Sequence, residues 1–251
     1  LAEVEIGILT RGKPTLGMTL SSLLLQQVQD IRIYIVDTSE KPVINRDDVA
    51  FALRLAIDRK IPCNYEYLRE RDRAFSVGRL RILQTLKGKN LCFMDDDIVL
   101  PSSSLAQLLE VAEATPLYGF VAPFCRHSAY PASYPSHAPL YTPGALFCQD
   151  RMVREILLDY YKSTVDLLDR VSSSDKVWEP AFLSHLFTAL GRPCRVQEGN
   201  VVYHLDYREP VNWDAFQETV VARSEAKARE LAARVMGNPI PPETSRKKGA
   251  G

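Results

Sequence analysis

No stretch of this sequence is apolar for long enough to cross a bilayer, so no transmembrane segment is expected. The opening LAEVEIGIL has no basic flank and runs straight into a strand pattern, which argues against a secretory signal peptide. Net charge is also missing, since Lys plus Arg number 31 and Asp plus Glu number 31. A balanced chain lacks the basic footprint of a nucleic-acid binder, though a local cationic pocket for a phosphorylated ligand remains compatible with it. Cysteine is sparse and scattered. Cys63, Cys92, Cys125, Cys148 and Cys194 form no close pair, which argues against a disulfide framework or a zinc site and suits a reducing, cytoplasmic setting. Most of them have apolar neighbours and read as small buried hydrophobes. No Gly-x-Gly-x-x-Gly follows any strand pattern, which excludes a Rossmann dehydrogenase. The segment after the first apolar run, LTRGKP, also lacks the Gly-rich loop of a sugar nucleotidyltransferase. There is no internal repeat. The end, 238–251, is rich in Pro, Gly and charge and reads as a disordered tail.

What is present suffices for one domain over 1–237. The chain has 251 residues, of which 46% are hydrophobic, enough for a core of ordinary size. Apolar runs at Val4 to Leu9, Ile31 to Val36 and Asn90 to Met94 read as strands, and Asn64 to Leu68 is a candidate strand between the last two. Between them, Leu16 to Val28, Asp47 to Ile57 and Arg73 to Leu86 carry helical spacing. A further helix follows Pro101, with Ser102 to Ser104 as N-cap candidates. This alternation predicts an α/β fold with a mostly parallel central sheet and helices on both faces. Ligands of such sheets sit outside the carboxyl ends of the strands, near a switch in strand order. The polar residues just past those ends are Thr10 and Arg11, Asp37 to Ser39, Arg69 to Arg73 and Asp95 to Asp97, and they are expected to converge.

The second half is less regular. Phe120 to Phe124 and Ala145 to Cys148 read as strands, separated by a long loop rich in Pro, Tyr, Ser and His. Long loops inside compact domains are often lids or binding loops, and this one, with His127, His137, Tyr130, Tyr134 and Tyr141, is a candidate for either, since aromatic faces stack on sugars. Helices are expected at Met152 to Leu168, Ala181 to Leu190 and Trp213 to Val235, and late strands at Arg195 to Val196 and Val201 to Leu205.

Asp95-Asp96-Asp97 is the strongest single feature. Three adjacent carboxylates directly after a buried strand repel one another and call for a compensating cation. Mg²⁺ or Mn²⁺ is the natural partner, because hard divalent ions take carboxylate oxygens and keep positions open for phosphate. An acidic turn at a helix N-terminus would account for one or two of these residues, but not for the run placed between a buried strand and Pro101.

The blocks VEIGILTRGKPTLGMTLSSLLLQQ, IRIYIVDTS, the Arg-rich stretch with Gly78, and NLCFMDDDIVLPSSSL occur in an order and spacing that resembles the family 2 glycosyltransferases of the GT-A fold, over residues 4 to 110. The resemblance implies a nucleotide-diphosphate sugar donor, a divalent cation and a saccharide or other hydroxyl acceptor. It assigns about 1–110 to donor and metal binding, about 111–210 to the acceptor side and 211–237 to a C-terminal helix. By the same resemblance Thr10 and Arg11 lie near the nucleotide and Asp37 meets the base or ribose. Asp95 or Asp96 faces the ribose, and Asp97 is a metal ligand with Asp95. The sequence departs from the family at Thr38, where a second Asp is common, and at Phe75-Ser76-Val77-Gly78, where Arg-Asn-x-Gly is usual. Arg71 or Arg73 is the candidate to supply the missing polar contact.

Further on, VWEPAFLSHLFTALGRPCRV resembles the family's acidic block and its following helix, with Glu179 on the acidic pair and Pro180 at its second member. That block implies a general base for the acceptor hydroxyl, for which Glu179 and Asp175 are the candidates. A late His completes the metal shell in some GT-A enzymes, and His204 in VVYHLDYR is its counterpart. An imidazole among the ligands suits Mn²⁺ somewhat better than Mg²⁺. Asp206 and Arg208 are either phosphate-side or surface residues. The implied reaction is an inverting displacement through an oxocarbenium-like transition state. Two alternatives stand beside it. FMDDDIV also satisfies the Asp-x-Asp-x-[Thr/Val] pattern of a haloacid-dehalogenase-like phosphatase, although three strand–helix units precede it here. A catalytically inactive nucleotide- or carbohydrate-binding module is the non-enzymatic one.

Overall fold

Side chains alternate across a strand, so a strand covered on both faces is buried along its length and mostly apolar. β1 (Val4–Thr10) and β4 (Asn90–Asp95) meet that condition at the centre of an eight-stranded sheet. The computed structural model describes residues 4–69, 74–127, 144–163, 179–205 and 222–237. Among these, β2 (Ile31–Asp37), β3 (Cys63–Tyr67), β5 (Ile98–Val99), β6 (Phe120–His127), β7 (Leu146–Cys148) and β8 (Cys194–His204) complete the sheet, in the order β3-β2-β1-β4-β7-β6-β8-β5.

The first four strands are parallel, as the strand–helix alternation predicts. β7 then runs antiparallel to both β4 and β6, β6 pairs parallel with β8, and β5 closes the far edge antiparallel to β8. The late strands expected as two pieces form one, β8. Its register against β6 shifts between Pro123 and Phe124, which accommodates the Glu198-Gly199 interruption in the apolar pattern.

Two apolar clusters lie on opposite faces of the sheet. Ile6, Ile8, Cys92 and Met94 pack with α1 (Leu16–Leu24), α2 (Asp47–Asp58) and α4 (Ser104–Ala114). Leu9, Leu91 and Phe93 pack with α3 (Ala74–Thr85), α5 (Arg151–Ser163), α6 (Glu179–Ala189) and α7 (Ala222–Val235). The one-residue alternation between Cys92, Phe93 and Met94 sends neighbouring side chains to different cores. Helices therefore cover both faces, as expected. At Gly7 a Cβ would stand 2.2 Å from Ile82 Cγ2, so the bare backbone of β1 is what lets α3 lie close to the sheet.

Ser103 occupies the N-cap position of α4 but makes no side-chain cap bond, and the neighbouring Ser104 hydroxyl pairs with Asn200 instead. No described helix is long and apolar enough to cross a membrane. All five cysteines are free thiols. The strand order reverses at β1, which has β2 on one side and β4 on the other. The carboxyl ends of β1 and β4 thus flank the switch point, and Leu9 pairs with Asp95 there.

Candidate active site

The three consecutive aspartates do not act alike. Asp96 turns inward, is 5% exposed, and accepts a 2.6 Å hydrogen bond from the Thr10 hydroxyl. Its backbone carbonyl accepts another from the Thr15 hydroxyl at 3.0 Å. Thr10 Oγ1 in turn accepts the Gly12 N–H at 3.0 Å, in a turn that Gly12 makes at φ +93°. Burial pushes the Asp96 carboxyl above its usual range, against the opposing pull of Thr10 and Lys13. Thr10 and Asp96 therefore lock the end of β1 to the aspartate run.

Asp97 faces the other way, toward β8. The short strand β5 sets Ile98 opposite His204, and the Leu205 N–H donates to the Asp97 carbonyl at 2.8 Å. That pairing carries the His204 imidazole to 3.1 Å from Asp97 Oδ1. The Lys13 ammonium contacts the other carboxylate oxygen. Burial opposes ionisation of Asp97, but the bond and charge of His204 and Lys13 outweigh it and hold the carboxyl at about 2. One ligand atom each from Asp95, Asp97 and His204 lies within 4.8 Å of the others. Two hard carboxylates and an imidazole, drawn from the ends of two strands, are a donor set that could hold a divalent metal ion.

Asp37 is fully buried at the end of β2. Its Oδ1 accepts the Ser39 N–H at 2.8 Å, and its Oδ2 accepts the Val43 N–H at 2.8 Å and the Tyr65 hydroxyl at 2.6 Å. It shapes the loop from Thr38 to Val43. Arg46, just past that loop, donates to the carbonyls of Gly12, Lys13 and Pro14, which pins the turn carrying Lys13. Arg11 is exposed on the same turn.

Among the described residues, a further cation near the aspartates is Arg79 of α3. It is 1% exposed, and its Nη2 donates to Asp95 Oδ1 at 3.0 Å. Its Nε stands 3.7 Å from Glu179 Oε1. Glu179 opens α6, is 6% exposed, and also accepts the Tyr161 hydroxyl. Burial pushes its carboxyl upward, against the opposing charge of Arg79. Arg71, Arg73, Asp175, Asp206 and Arg208 lie outside the described residues, as do His137, Tyr130, Tyr134 and Tyr141.

Thr10, Asp95, Asp96, Asp97 and His204 thus come together outside the carboxyl ends of the strands, while Asp37 is committed to the neighbouring loop. Sequence reasoning passed over Lys13, Arg46 and Arg79. Lys13 was legible in part, as the cation next to the turn glycine. Arg79 was not, because a basic residue in a basic stretch carries the signature of a solvated helix face.

The sequence profile of the family described as glycosyl transferase family 2 matches residues 6–164, more than half of the chain. The chain belongs to that family. No curated relative matches it. Among solved structures, this family 2 chain is similar to the crystal structure of S. aureus TarS, with a TM-score of 0.60, 12% identity and 95% of this chain covered. It spans only 40% of the length of that protein. The crystal structure of S. aureus TarS 1-349 in complex with UDP-GlcNAc is similar at a TM-score of 0.56 and 13% identity, covering 94% of this chain and 72% of that one. The same segment in complex with UDP gives 0.56 and 12%, over 93% and 70%. At this identity the likeness shows the shared GT-A fold. Family membership also answers the phosphatase alternative, whose Asp-x-Asp motif belongs after a first strand and not after β4.

Proposed function

We propose that this chain transfers a hexosyl group from a nucleotide-diphosphate sugar to an acceptor hydroxyl, with inversion and with a divalent cation. The observation that carries the reading is the meeting of Asp95, Asp97 and His204 within 4.8 Å at the strand switch point. Asp95, Asp97 and His204 would hold the cation, which would offset the negative charge gathering on the departing diphosphate. Lys13, on its pinned turn beside Asp97, would add a second positive charge on the diphosphate side. The Thr38–Val43 loop, organised by Asp37, would border the base. UDP is the first nucleotide to test, because the similar TarS segment is solved with UDP and with UDP-GlcNAc. A cytoplasmic location is part of the proposal, and the five free thiols agree with it.

An acceptor hydroxyl must lose a proton as its oxygen bonds the anomeric carbon, on the face opposite the diphosphate. Of the two candidate bases, Glu179 is engaged in the core by Tyr161 and Arg79. That favours Asp175, four positions earlier in the chain, as the base. Arg71 and Arg73 remain candidates for the phosphate or base contact.

The test is calorimetric titration with UDP, GDP and dTDP, with and without Mn²⁺, repeated on Asp97→Ala. Mn²⁺-dependent binding of one nucleotide that collapses in the variant is the expected result. Absence of binding to all three would sink the donor-site reading. Binding without release of diphosphate from any UDP-sugar would instead favour an inactive module.

A further inference from the structure

Arg79 is a charged side chain in a place where charge is costly. It is 1% exposed, and its guanidinium lies 4.7 Å from the centre of the Phe93 ring and 5.2 Å from that of Phe75. Desolvating an arginine and a carboxylate costs several kcal/mol before their attraction returns any of it, and an apolar replacement is often as stable. Stability alone is therefore a weak reason for the arrangement. Among the described residues, two carboxylates beside Arg79 come from different parts of the chain. Asp95 ends β4 and is 36% exposed at its side chain, facing both the guanidinium and the site. Glu179 begins α6, in the acceptor-side half, and is held from behind by the Tyr161 hydroxyl.

We infer that Arg79 and Glu179 are positioning residues that hold the Asp95 carboxylate in the metal-binding arrangement with Asp97 and His204. Arg79 supplies a planar donor fork that fixes the direction of Asp95 Oδ1. Glu179 takes up part of the guanidinium charge, so that Asp95 is oriented without being wholly neutralised. The Phe75 and Phe93 rings confine the guanidinium between them and leave it little room to swing away. The inference rests on the metal-dependent reading above, and it adds a link from the start of α6 to the donor site that no motif in the sequence announces.

The experiment measures Mn²⁺ affinity directly, from the electron paramagnetic resonance signal of free Mn²⁺, with and without UDP. Wild-type protein, Arg79→Lys and Glu179→Gln are compared, each first checked for folding by thermal unfolding. Lysine keeps the charge but lacks the fork, and glutamine keeps the shape and a partner for Tyr161 but lacks the charge. Partners that orient a ligating carboxylate typically change metal affinity by ~10-fold or more, and a rise in the Mn²⁺ Kd of that order is expected in both variants. A purely structural role would lower the unfolding temperature and leave the Kd of the folded protein unmoved. Wild-type Kd in folded Arg79→Lys overturns the proposal, and wild-type Kd in Glu179→Gln removes Glu179 from it. If Arg79→Lys does not fold, Glu179→Gln decides. Failure of the wild type itself to bind Mn²⁺, with or without UDP, strikes the underlying functional reading instead.

Discussion

His204 and Asp97 are 107 positions apart in the chain, yet the imidazole Nε2 lies 3.1 Å from the carboxylate Oδ1. Two residues of β5 bring this about, by pairing antiparallel with the end of β8. If the pair helps to bind a cation, His204→Ala should weaken Mn²⁺ binding by about tenfold or more, since even partners one layer out cost that much. Mn²⁺ titration of the folded variant measures it, and unchanged affinity would remove His204 from the ligand set.

The same pair makes stability depend on pH. Asp97 is held at about 2 against an ordinary value of 3.8. A depressed carboxyl contributes stability that is fully present above the unfolded value and is lost as pH falls toward the folded one. The difference in unfolding free energy between wild type and Asp97→Asn should therefore shrink as pH drops from 3.8 to about 2. Urea unfolding of both proteins at several pH values follows it. A constant difference across that window would contradict the coupling.

Thr10→Val removes the hydroxyl that bonds the buried Asp96 carboxylate while keeping the shape of the side chain. Leaving a buried acceptor without its donor costs about 1–3 kcal/mol, more if it is charged. Thr10→Ser should recover most of that loss. Denaturant midpoints of the three proteins make the comparison, and equal stability of the valine and serine variants would mean that the bond contributes nothing.

Gly7→Ala should destabilise without touching the site chemistry. Its new methyl would fall 2.2 Å from Ile82 Cγ2, on a β-branched side chain that is fully buried. Overpacking of this kind costs about 1–3 kcal/mol. The urea midpoint should fall with little change in slope. An unaltered midpoint would show that α3 can retreat from the sheet at no cost.

The strand–helix alternation was legible because buried parallel strands need nearly continuous apolar runs, and VEIGIL, IRIYIV and NLCFM supply them with few polar interruptions. The aspartate run was legible because charge rarely follows such a strand without a purpose. Its division of labour was not. Asp95 and Asp97 meet His204 while Asp96 turns to Thr10, and only the turn between β4 and β5 sets those directions. Arg79 was hidden for a similar reason. Arg71 and Arg73 share its basic stretch, and the burial of one arginine among several depends on which helix face meets the sheet.

The sequence by itself determined the α/β class, the order of the parallel strands' apolar runs and the chemistry available at the end of β4, because these depend on local periodicity and residue type. Tertiary structure alone decided which nitrogen-bearing side chains reach that chemistry. Lys13, Arg79 and His204 arrive from a turn, a helix and a distant strand. Such meetings depend on strand register and helix packing over long separations, which side-chain type does not encode one residue at a time.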